Sequence, residues 1–117
     1  MASLLNPQRG EVWFANLDPP HQLEQAGARP CLILSHTDYN KGRSGRVIIV
    51  PFTKNSRQPF TVSVLPPEGG LKMESYLLCD QLRAINKDRL SHKLGSVSAQ
   101  TLKAVEQIVK DLLDFEP

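Results

Sequence analysis

Cysteine is scarce in this chain, with two residues in 117, and histidine hardly commoner, with three. Two cysteines are too few for a small disulfide-stapled scaffold, and neither Cys31 nor Cys79 has a second Cys or a His at metal-ligand spacing. Both lie inside apolar runs, which predicts buried, reduced packing residues. No apolar run approaches the ~20 residues that cross a bilayer, so no membrane partner is expected. The start, Met1-Ala2-Ser3-Leu4-Leu5-Asn6-Pro7, lacks a basic region followed by a sustained apolar segment, so no signal peptide is predicted and the cytoplasm is the expected location. Neither a phosphate-cradling glycine loop nor a Gly-x-Ser-x-Gly elbow occurs, and no Cys or His pair has zinc spacing. No cofactor or metal is therefore expected. His21, His36 and His92 fall in three separate segments, and nothing in the sequence brings them together, so surface or packing roles are expected for them.

A formal charge of +2 does not argue for nucleic acid, but its distribution is uneven. From Arg29 to Arg57 there are six basic residues and one acid, whereas residues 104–117 carry one base and four acids. A basic middle third suits a polyanion, and equally suits a solvated loop between strands.

The length predicts one domain over residues 1–117, enough for a single core. Strands are predicted at Gly10–Leu17, Cys31–Ser35, Arg46–Val50, Phe60–Val64, Ser75–Cys79 and Gln81–Ile85. The Cys31–Ser35 run is apolar without alternation, as expected where both faces are covered. Thr37–Gly45 reads as turn chemistry, and Pro51 as a strand end or an edge. Residues 86–97 fit a short helix or a loop. From Ser98, a plausible N-cap, apolar residues recur three and four apart at Leu102, Val105, Ile108, Val109, Leu112 and Leu113, which predicts a helix with one buried stripe. The fold class is mainly β with α: a twisted antiparallel barrel of about six to seven strands carrying a C-terminal helix.

The stretch with most chemistry is Glu24-Gln25-Ala26-Gly27-Ala28-Arg29-Pro30, a polar, small-residue loop leading into a buried strand. Metal-free cleavage of an RNA phosphodiester needs a base for the 2′-hydroxyl, a charge stabiliser for the phosphorane-like state and an acid for the leaving oxygen. Glu24 offers a base, and Arg29 a planar fork matched to phosphate oxygens with a charge that does not titrate away. An exposed ion pair is the plain alternative. Thr53 is a strand-end hydroxyl able to bond a phosphate or cap the backbone. Asp80 is a carboxylate where the chain changes direction. Trp13 and Phe14 offer a stacking face or core packing.

Four segments in order resemble the MazF/PemK family of toxin–antitoxin toxins. They are Arg9-Gly10-Glu11-Val12-Trp13; Glu24 to Ser35; Val47-Ile48-Ile49-Val50-Pro51-Phe52-Thr53; and Leu78-Cys79-Asp80-Gln81-Leu82-Arg83-Ala84-Ile85, continuing to Leu90. The likeness spans roughly residues 8 to 113. It implies an SH3-like barrel with a C-terminal helix, a homodimer, and metal-independent cutting of single-stranded RNA to a 2′,3′-cyclic phosphate and a 5′-hydroxyl. It places the catalytic arginine at Arg29 and the strand-end threonine at Thr53, with Glu24 and Asp80 in lesser roles. Gln25, Lys54, Arg57, Gln81 and Arg83, with Trp13 and Phe14, are the expected RNA contacts. A cognate antitoxin with an acidic, partly disordered segment is the expected partner, competing for the basic groove. Two positions depart from some members. Leu23 stands where they carry a histidine before Glu-Gln, and Leu78 where they carry an arginine two residues before the acid. The acid–base pair of those relatives therefore does not transfer to Asp80. A gyrase-binding toxin on the same fold and a member that only binds antitoxin are the alternatives.

Overall fold

Alternation within the first three strands divides the core into two. In the computed structural model, which describes residues 5–17 and 27–114, Val12, Leu32, Val50 and Phe52 point to one face of the sheet and Trp13, Ala15, Cys31, Ile33, Val47 and Ile49 to the other. Side chains of a strand alternate between faces, so an unbroken apolar run means both faces are covered. That is the reason the second strand shows no polar alternation.

The elements are β1 (Glu11–Asn16), β2 (Ala28–Ile33), α1 (Thr37–Lys41), β3 (Arg46–Thr53), β4 (Thr61–Val64), β5 (Ser75–Leu78), β6 (Arg83–Asn86), β7 (Leu90–Ser96) and α2 (Ala99–Leu113). All pairings are antiparallel, and the hydrogen-bonded path runs β4-β5-β3-β2-β1-β7, with β6 alongside the first half of β3. Among the described residues the sheet is twisted and its ladder does not close into a complete barrel. No helix among the described residues is long and apolar enough to cross a membrane.

Four elements differ from expectation. β2 starts at Ala28 rather than Cys31, because β1 pairs with it as far as Asn16↔Ala28; Arg29 and Pro30 thus belong to a strand. Pro51 lies inside β3, not at its end. On one side β3 is paired to β6 through Ile49 and to β5 from Phe52. Pro51 falls between those partners, where an absent N–H removes no ladder bond. Residues 37–41 form α1 rather than a turn, since that helix carries Asn40 into the interior. There its side-chain amide donates to the carbonyls of Pro7 (3.1 Å) and Ser35 (3.2 Å). Most of 86–97 is β7, a strand without a β-branched residue. The free edge of β1 supplies its partner, with register shifts at Val12/Trp13 and Phe14/Ala15, and tertiary pairing overrides weak local preference.

A 3-10 turn, Glu68–Gly70, seats on β7. Gly70 has φ +71°, and a Cβ there would stand 1.9 Å from the Leu94 carbonyl oxygen; only glycine allows this approach. Beyond it, Ser98 caps α2 by accepting the Thr101 N–H (3.1 Å). The Glu68 carboxylate accepts from the Ser98 N–H (2.9 Å) and the Thr101 hydroxyl (2.6 Å). Val105 is wholly buried against the first core, Leu102, Ile108 and Val109 partly so, while Leu112 and Leu113 are exposed. The predicted stripe is thus buried only over its first half to two-thirds. Arg9 bridges the Leu34 carbonyl and the Glu106 carboxylate, tying α2 to the end of β2.

Candidate active site

The pairing of β2 with β3 brings two distant residues together. Cys31 stands opposite Pro51, the last pair of that ladder; beyond it β3 turns to pair with β5, leaving Arg29 on β2 and Thr53 on β3 at the two sides of a gap. Both side chains line a cleft of about 560 Å³, together with Phe14, Lys54, Asn55 and Ser75. Arg29 is half-buried, and its Nη1 donates to the Phe52 carbonyl at 3.3 Å, which orients the guanidinium along the cleft wall. Thr53 is buried at 7% exposure, and its Oγ1 accepts the Asn55 N–H at 3.2 Å. A hydroxyl that accepts in this way keeps its proton to donate.

Arg83 Nη2 donates to the Leu17 carbonyl (3.2 Å) and Arg89 Nη1 to that of Asn16 (3.3 Å), while the Leu17 N–H bonds the Gly27 carbonyl (3.0 Å). The two guanidiniums tie the end of β1 to β6 and to the turn before β7, and the backbone bond from Leu17 joins it to the start of β2. Burial pushes the Cys31 thiol up to about 12, although the Arg29 and Arg83 charges pull it down. The thiol is protonated at neutral pH and is not a nucleophile. Cys79 is raised to about 11 by burial, with the Asp80 carboxylate adding to the shift. Both cysteines are free and buried, as expected. Among the described residues no three His, Cys, Asp or Glu side chains cluster at metal-binding range.

The other expected site residues divide. Lys54 is exposed at the cleft. Phe14 lines it too, but Trp13 is core, 7% exposed, with its indole N–H on Glu11 Oε1 at 2.9 Å; it has no face to offer a base. Arg57 is exposed on the segment after β3, its backbone N–H held by the Asn55 side chain at 3.0 Å, and it does not line the cleft. Asp80 and Gln81 lie on the 3-10 turn Cys79–Gln81 between β5 and β6, which packs against α2 and β3, and neither lines the cleft. Leu78, just before them, is fully buried. Glu24, Gln25 and His21 lie outside the described residues.

Nor does the basic span act as one surface. Lys41, Arg43 and Arg46 sit at the opposite end of β3 from Thr53, roughly 23 Å away along an extended strand. Two cleft neighbours escaped the sequence reading. Ser75 begins β5, and His92, on β7, stacks on Phe14 with ring centroids 5.5 Å apart and planes 29° from parallel. With 86–97 unassigned, nothing in the sequence put His92 across from Phe14.

A family model of PemK-like, MazF-like toxins of type II toxin–antitoxin systems matches residues 8–113. Among curated relatives, the endoribonuclease MazF9 of Mycobacterium tuberculosis is 33% identical over 114 residues, covering 92% of this chain and 97% of that protein. The crystal structure of MazF from Deinococcus radiodurans aligns with a TM-score of 0.84 at 28% identity, over 95% of this chain and 99% of its own. MazF in a MazE–MazF crystal structure from the same organism aligns at 0.77 and 28% identity, over 96% and 100%.

Proposed function

The chain belongs to the PemK-like, MazF-like toxin family of type II toxin–antitoxin systems, and from that premise we propose how it acts. It is an endoribonuclease of the cytoplasm that cuts single-stranded RNA without a metal ion, and residues 1–117 work as one toxin domain, paired as a homodimer. The observation that carries this is the cleft in which β2 and β3 set Arg29 beside Thr53.

In the reaction the 2′-oxygen attacks the adjacent phosphorus, forming the O2′–P bond as the P–O5′ bond breaks. Negative charge accumulates on the non-bridging oxygens. The Arg29 guanidinium, oriented by the Phe52 carbonyl, stabilises that charge through its planar fork of donors. Thr53, accepting from Asn55, donates its proton toward the same oxygens. Glu24 is the base for the 2′-hydroxyl proton, and the departing 5′-oxygen takes a proton from solvent water, giving a 2′,3′-cyclic phosphate and a 5′-hydroxyl. Asp80, exposed on its turn beside buried Leu78, has no part in proton transfer. Lys54 and the arginines near the cleft attract the RNA backbone, and a cognate antitoxin inhibits by laying an acidic segment over the same surface.

Cleavage of a long single-stranded RNA in EDTA tests this, comparing wild type with Arg29→Ala and mapping the ends. Cutting at a short motif is expected, with the variant at least ~10²-fold slower. A wild type that cuts nothing would exclude the nuclease reading, and gyrase supercoiling would then be the assay to run.

A further inference from the structure

Beside the Arg29–Thr53 cleft lies a second hollow, of about 430 Å³, for which the cleavage chemistry has no use. It shares Phe14, Pro30, Lys54 and Ser75 with the cleft, so the two are continuous. Its far side is formed where the Glu68–Gly70 turn seats on β7, and Lys72, Met73 and His92 complete it.

Phe14 and His92 are directly opposite each other on β1 and β7, with their rings stacked. His92 is exposed and Phe14 half-buried, so the outer face of this stacked pair is the π surface beside the hollow. The Ser91 hydroxyl lies 2.9 Å from His92 Nδ1 and steadies the ring. Lys54 and Lys72 are exposed at the margin, and Met73 adds a polarisable apolar contact at 56% exposure. An aromatic stack with an open outer face and lysines at its margin matches one chemistry well: a nucleobase continuing the stack, with its flanking phosphates on the ammonium groups. An acidic peptide would use the lysines but leave the stack idle.

We propose that this hollow is a nucleobase subsite, in which Phe14 and His92 stack a base of the nucleotide next to the scissile phosphate. The position relative to the cut rests on the nuclease reading above; the stacking does not. Stacking tolerates any base, so the subsite raises affinity and sets which stretch of RNA lies across Arg29, rather than reading sequence by hydrogen bonds.

The test is binding by the full chain of a short fluorescein-labelled single-stranded RNA with methylated 2′-hydroxyls, which cannot be cut. His92→Ala is expected to weaken binding roughly 5- to 100-fold, and His92→Phe, which keeps the ring and drops the imidazole, to restore it. An RNA with one abasic position should bind wild type as weakly as intact RNA binds His92→Ala, and the two losses should not add. Unchanged affinity in His92→Ala, failure of His92→Phe to rescue, or additive losses would each overturn the proposal. Loss of binding to an acidic peptide with RNA binding intact would assign the hollow to a protein partner and overturn it as well. Cleavage of unmodified RNA is scored separately. No cutting by wild type, with this binding pattern intact, would remove the nuclease reading and leave the stacking subsite standing.

Discussion

The ladder between β2 and β3 has two ends that the molecule uses in opposite ways. At the Ile33–Arg46 end, polar groups are turned inward and spent on one another. The Asn40 side chain, 1% exposed, donates to the carbonyls of Pro7 and Ser35, and its backbone carbonyl accepts from the buried Lys87 ammonium at 2.6 Å, while the Ser35 hydroxyl bonds the Asn40 side chain and receives the Ile48 N–H. At the Arg29–Thr53 end, similar polar chemistry lines an open cleft. The contrast separates two uses of polarity. A satisfied buried network specifies structure, because every group in it has lost water and must keep its partner. A half-exposed guanidinium lining an open cleft is placed to meet phosphate oxygens that arrive from outside.

The sharpest way to break this contrast is to exchange the consequences of the two ends. Arg29→Ala is expected to slow RNA cleavage by ~10²–10³-fold or more, while thermal melting shows a stability change of about 1 kcal/mol or less. Arg29→Lys should recover only part of the rate, because an ammonium lacks the planar fork. If Arg29→Ala melted the protein instead, the cleft arginine would be structural. The next largest effect is the mirror image. Asn40→Ala should cost ~2–4 kcal/mol in urea unfolding, since it strands buried partners, with cleavage per folded molecule unchanged. A stable Asn40→Ala would refute the reading of that end as a structural network.

Acid sharpens the comparison further. Burial raises the Glu68 carboxyl, but hydrogen bonds from Thr101 and Ser98 outweigh it and leave the group below its ordinary 4.5. Glu11 is likewise lowered on balance, burial being outweighed by bonds from Trp13, Gln8 and Lys93 and by the Lys93 charge. A carboxylate whose pKa falls on folding stabilises the native state above its unfolded value and loses that contribution as the pH drops through the folded one. Stability should therefore decline below about pH 4.5, and Glu68→Gln should flatten the decline by up to ~1 kcal/mol, kept small by solvent screening. The smallest effect expected is none. With thiols at about 12 and 11, Cys31 and Cys79 should react with a thiol reagent at pH 8 only as fast as the protein opens, in wild type and Arg29→Ala alike.

Several features were legible from the chain. The three-and-four spacing from Leu102 onward places α2, Ser98 marks its start, and β-branched runs place β3 and β4. Each is a local property: periodicity reports which side of an element is dry, and a capping hydroxyl needs only its own first turn. Arg29 and Thr53 were visible as residues in a family pattern. What escaped depends on partners. Leu90–Ser96 has weak strand character and becomes β7 because β1 has an open edge. Pro51 is tolerated inside β3 because the strand changes neighbours there. Asn40 is an ordinary turn residue until α1 turns it inward. The basic stretch from Arg29 to Arg57 is continuous in the chain and split in space, because extended β3 carries its two ends far apart.

Composition and spacing were enough to settle which residues are apolar, that β2 is covered on both faces, and where the last helix begins. Those follow from side-chain alternation and helical period, which a segment carries wherever it goes. Which side chains meet was left to the assembled sheet. Register is a choice among partners many residues away, settled by packing over the whole sheet, and a shift of one residue turns every side chain to the other face. The β2–β3 ladder, ending at Cys31 and Pro51, opens the cleft that Arg29 and Thr53 line, and Phe14 facing His92 stacks two rings beside them.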